Sequence, residues 1–99
     1  MKLIRSEKEA EEVILESDVH VGQKAELIVY NDDHNTFDWV IQSFVEVLQH
    51  NVEQAEQLSL LIHYKGKATV KTAPIDHLKP LKDALVDRGL SAVIEHQTA

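Results

Sequence analysis

The chain has 99 residues, enough for one domain with one modest core. It is 43% hydrophobic and 27% charged, an ordinary globular balance, and it has no cysteine, so disulfide staples and thiolate metal sites are excluded. A formal net charge of −7 argues against nucleic acid, whose phosphates are met by Lys and Arg, and suits solubility or a cationic partner.

Along the chain, residues 1–24 hold six of the 17 acidic residues. Met1–Glu7 has no apolar stretch of the signal-peptide kind. No later run approaches the ~20 apolar residues of a membrane span. A soluble cytoplasmic protein is expected. Residues 1–24 are expected to be a flexible N-terminal extension, with a short strand around Glu12–Leu15 and Gly22 near its end. The core domain is expected over residues 25–99.

Glu26–Tyr30 is a short β-branched run and predicts a strand. Asn31–Thr36 is a polar turn, with Thr36 placed to cap a helix. Phe37, Val40, Ile41, Phe44, Val45 and Leu48 follow at helical spacing, and the helix should end near His50-Asn51. A second helix starts at once, with Val52, Ala55, Leu58, Leu61 and Ile62 on one face and Glu53 and Glu56 in its first turns. Ala68–Thr72 predicts a second strand. Pro74 suits the start of a third helix with Leu78, Leu81, Leu85 and Val86 as its apolar face. Pro80 must sit in the first turn or bend that helix. Arg88-Gly89 is a stop signal, and Leu90–Glu95 predicts the last strand.

The order is β-α-α-β-α-β. If the first strand lies centrally, both neighbours run antiparallel to it and the helices cover one face. The expected fold is α+β: a two-layer sandwich with a three-stranded antiparallel sheet.

The densest polar cluster is Asn31-Asp32-Asp33-His34. A plain turn accounts for it, because Asn and Asp satisfy their own backbone. A cluster of acceptors converging on a cation, either a metal or an ammonium group, accounts for it as well. His63 ends an apolar helix face and can be structural, but the topology allows it to approach the Asn31–Asp33 corner. Six histidines form no H-x-x-x-H pair, and Asp32, Asp33 and His34 are consecutive, which suits one ion poorly. The chain has no glycine-rich phosphate loop and no G-x-S-x-G element. No metal, cofactor or enzymatic activity is expected.

Asn31-Asp32-Asp33 with Thr36–Val40, then Val52–Leu58, then His63-Tyr64-Lys65-Gly66-Lys67-Ala68, resemble the core of the ClpS family, adaptors of the Clp protease. The likeness runs from about Leu27 through Ile94. It implies a binding protein that holds the free N-terminal residue of N-degron substrates, of the Leu, Phe, Tyr or Trp type. It also implies delivery to a ClpA- or ClpC-type AAA+ unfoldase, with the N-terminal extension helping. The family's α-amino contacts fall on Asn31, Asp33 and His63, with Asp32 adding charge in the same element. Its side-chain pocket falls on Asn35, Phe37, Val40, Ser59, Ile62 and Leu90.

An ammonium group has three donors, and an Asp carboxylate, an Asn oxygen and an unprotonated His nitrogen are three acceptors. Protonating His63 would turn its acceptor into a donor and weaken binding in acid. Three positions depart from the family pattern: Ser59 replaces a bulky residue, often Met, Phe37 stands where Met is common, and Asn35 where Thr is usual. Ser59 should enlarge the cavity and shift the preference among large or β-branched N-terminal residues. The third helix is shorter than in many members, and the unfoldase-docking face does not match cleanly. A monomer is the simplest expectation. Two other classes stand beside this one. One is an interaction module of the same fold without N-terminal-residue specificity; the ribosomal stalk protein's C-terminal domain has a similar topology. The other is a metal-dependent enzyme using Asp32, Asp33 and His34.

Overall fold

The structure is a computed structural model, and it describes residues 23–96. The elements follow in the expected order: β1 (Lys24–Tyr30), α1 (Phe37–Leu48), α2 (Val52–Lys65), β2 (Lys67–Pro74), α3 (Ile75–Asp87) and β3 (Ser91–His96). The strand expected around Glu12–Leu15 and most of the expected extension lie outside the described residues. Lys24, at its boundary, already pairs with Pro74 in β1.

β1 is central, and both β2 and β3 run antiparallel to it. Ala25, Leu27 and Val29 alternate along β1 and are buried under the helices, as a strand's two-residue period requires. A register shift between Leu27 and Ile28 re-aims the end of the strand where it meets β2. Phe44 of α1 and Leu78 and Leu85 of α3 pack on this inner face with no exposed surface. Burying such a side chain contributes about 1.5–3 kcal/mol. Asn31 N–H closes the end of β1 by donating to the Gly66 carbonyl at 2.8 Å.

Capping defines the helices. Thr36 Oγ1 accepts the Trp39 N–H at 3.1 Å and Asn51 Oδ1 accepts the Gln54 N–H at 2.7 Å. Gly66, at φ 93°, ends α2 in the left-handed region. Gln49 ends α1 at φ 64°, a conformation that glycine or asparagine adopts with less strain.

Several local expectations are corrected. On α2 the buried stripe is Ala55, Ser59 and Ile62, whereas Val52 and Leu61, expected on the apolar face, are exposed. The helix packs close through small side chains, which hydrophobicity does not flag. Phe37 and Val86 are likewise exposed rather than core-facing. Pro74 closes β2 and, as expected, marks the start of α3, as its N-cap. Pro80 lies in the second turn of an unbroken helix, on its exposed side, where the missing N–H leaves the carbonyl four residues back without its helical donor.

Candidate functional site

The loop between β1 and α1 is held by one carboxylate. Asp32 Oδ1 accepts the backbone N–H groups of His34 (2.9 Å) and Asn35 (3.0 Å). Both Asp32 oxygens accept from the Asn35 side-chain amide at 3.0 Å, and Ser91 Oγ approaches Oδ2 at 3.5 Å. Burial pushes the Asp32 carboxyl up. The donors from His34 and Asn35, with the nearby His34 ring, outweigh that and hold it below the usual carboxylate value. The Asn35 amide also donates to the Gly89 carbonyl at 2.8 Å, which ties the loop to the turn between α3 and β3.

That turn is fastened a second time. Trp39 Nε1 donates to the Arg88 carbonyl at 2.9 Å, and the Arg88 guanidinium lies 5.4 Å from the Trp39 ring centroid. Arg88 also pairs with Glu46 at 2.8 Å, and its hydrogen bond, joined by one from Gln42, holds the Glu46 carboxyl below its ordinary value. Two independent contacts between α1 and the Arg88-Gly89 turn fix the wall behind the loop.

The Asn31 N–H to Gly66 carbonyl bond brings the other wall. Gly66 ends α2, so His63, three residues earlier, stands beside the Asn31–Asp33 corner. Between loop, α1 and α2 lies a cavity of about 550 Å³. Asn31, Asp32, Asp33, Asn35 and His63 form its polar lining, and Phe37, Val40, Ser59, Leu60 and Ile62 form the rest. Leu90 lies apart from this cavity and borders a smaller void of about 30 Å³, which shares Asn31, Asp32, Asn35, Val40 and Ile62 with it. Nine of the ten site residues singled out in the sequence therefore line one cavity, and Leu90 does not.

Their chemical states differ. Asp32 and Asn35 are engaged within the loop, the Asp32 oxygens accepting from neighbouring N–H groups. Among the described residues, no hydrogen bond or ion pair engages the side chains of Asn31, Asp33 or His63. The His63 ring meets the Tyr64 ring edge to face at 5.0 Å. Three acceptor-bearing side chains thus stand open at the rim, and Asp33 supplies a negative charge. Among the described residues no three His, Cys, Asp or Glu side chains converge as metal ligands would.

Leu60 is the lining residue that sequence reasoning missed. Its spacing from His63, one helical turn, was the available signal. The Trp39–Arg88 and Asn35–Gly89 clamps join residues 49 and 54 positions apart and leave no pattern in the chain.

Fold and site together define a small α+β domain with an open, acceptor-rich corner beside a partly apolar hole. Residues 21–93 match the family model described as "ATP-dependent Clp protease adaptor protein ClpS". The chain belongs to the ClpS family. It is 31% identical over 55 residues to the ClpS adapter of Nitratidesulfovibrio vulgaris (strain DP4), covering 56% of this chain and 53% of that one. With the adapter of Edwardsiella ictaluri (strain 93-146) the identity is 38% over 64 residues, covering 63% and 58%. The matched segment thus spans little more than half the length of these curated relatives. Among solved structures, Agrobacterium tumefaciens ClpS2 bound to L-phenylalaninamide shares the fold with a TM-score of 0.73 at 17% identity, covering 76% of this chain and 98% of that one.

Proposed function

We propose that this protein is a Clp protease adaptor that holds the free N-terminal residue of N-degron substrates, of the Leu, Phe, Tyr or Trp type, and passes them to a ClpA- or ClpC-type AAA+ unfoldase. The observation that carries this reading is the set of unengaged acceptors, Asn31, Asp33 and His63, on the rim of a 550 Å³ cavity with apolar lining. An α-ammonium has a charge and three donors for that corner, and the first side chain enters the hole. An internal residue lacks the charge and has one N–H donor in place of three. Phenylalaninamide on the Agrobacterium ClpS2 pairs a free amino group with an apolar side chain, which is the same combination. Binding rather than catalysis, in the cytoplasm and as a monomer, goes with this role.

Fluorescence anisotropy tests it. A peptide beginning with Leu is expected to bind, and the same peptide beginning with Met to bind much more weakly, with no change on adding a chelator. Equal binding of the two favours an interaction module of this fold without N-terminal-residue specificity. Loss of binding with chelator favours a metal site.

A further inference from the structure

We propose that the Ser59 hydroxyl makes this cavity select tyrosine over phenylalanine as the N-terminal residue, an assignment that rests on the reading of the site just given. Ser59 lines the cavity on α2 beside Val40 and Ile62 and is only 3% exposed. Its Oγ is buried and has no hydrogen-bond partner among the described residues. A helical serine ordinarily relieves this by bonding the carbonyl four residues back, here Ala55, and that bond is not made. A buried hydroxyl without a partner is held at a desolvation cost that any arriving donor or acceptor removes. Serine reaches such a partner by turning between staggered χ1 positions, without moving the helix.

Position defines the partner. Ser59 is four residues before His63 on the same helix, so it lies about 6 Å farther along the axis from the amino-binding corner. A side chain whose amino group is held at that corner must carry its polar atom at about this reach. Tyrosine does so, with a hydroxyl roughly 6.5 Å from its Cα that both donates and accepts. Phenylalanine has the same ring and no such atom, and leucine is shorter and apolar. Ser43 Oγ is also buried without a partner, but it does not line the cavity and so lies out of a ligand's reach.

The test uses otherwise identical peptides beginning with Tyr, Phe and Leu, with dissociation constants measured on the wild-type protein, Ser59→Ala and Ser59→Thr. The Tyr peptide is expected to bind the wild type about tenfold more tightly than the Phe peptide, the size of one net hydrogen bond. That ratio should persist on Ser59→Thr, which keeps a hydroxyl, and fall to about one on Ser59→Ala. A ratio near one on the wild type, or the same ratio on wild type and Ser59→Ala, overturns the assignment to Ser59. If none of the three peptides binds the wild type, the amino-terminus reading itself fails and the assignment falls with it.

Discussion

Replacing Asp33 by alanine is expected to weaken binding of a Leu-initiated peptide roughly 10- to 150-fold, while changing folding stability by no more than about 0.5 kcal/mol. Asp33 is exposed, lines the cavity, and has no hydrogen bond or ion pair among the described residues. Its removal therefore takes nothing from the native contacts. What it removes is the negative charge facing an incoming ammonium, and a hydrogen bond to a charged group contributes about 1.5–3 kcal/mol. Asp33→Asn keeps an oxygen acceptor without the charge and should fall between the two. Calorimetric titration together with urea denaturation of the same variants checks both halves of the expectation. A variant that binds as well as the wild type shows that the charge at Asp33 plays no part.

The neighbouring carboxylate should behave in the opposite way. Asp32→Ala is expected to lower folding stability by about 1–3 kcal/mol, because the N–H groups of His34 and Asn35 and the Asn35 amide all lose their acceptor. The effect depends on pH in a defined direction. The folded protein holds the Asp32 carboxyl below its ordinary value, so the stability it supplies is fully present above the unfolded-state value of about 3.9. That contribution disappears as pH falls through the lower, folded-state value. The gap between wild type and Asp32→Ala should therefore be full at neutral pH and shrink under strongly acid conditions. Urea denaturation at neutral pH and near pH 3 measures it. A gap that does not narrow in acid would mean that the ionised carboxylate is not what orders the loop. Asp32→Ala should weaken peptide binding too, since the loop it orders carries Asn31 and Asp33.

The contrast between two adjacent aspartates marks the limit of what the chain alone discloses. Asn31-Asp32-Asp33 announces a cluster of acceptors, but nothing in the spelling says which carboxylate faces inward to the loop and which faces the cavity. That division follows from the backbone turn at His34 and Asn35, which places two N–H groups on Asp32. The element order, the central position of β1 and the meeting of His63 with the Asn31–Asp33 corner were all legible. Strand period, helix caps and the Gly66 stop constrain them locally, and the short connections leave few topologies.

The faces of the helices were less legible. Val52 and Leu61 fit a helical period yet lie exposed, because α2 approaches the sheet through Ala55 and Ser59. Small residues permit close packing without contributing hydrophobicity, so a count of apolar positions turns the helix toward the wrong side. The same rotation brings Leu60 onto the cavity. The far wall was not legible at all. It depends on Trp39 reaching the Arg88 carbonyl and on Asn35 reaching that of Gly89, contacts to backbone atoms that no residue type specifies.

The proposed role of the site is to hold a charged chain end, so the most direct measurement compares a Leu-initiated peptide with its Nα-acetylated twin by calorimetry. Acetylation leaves the first side chain intact and removes the ammonium. The free peptide should bind, and the acetylated one should lose affinity by at least the 10- to 150-fold assigned to a single charged contact. Equal affinity for the two would contradict recognition of the amino terminus by Asn31, Asp33 and His63.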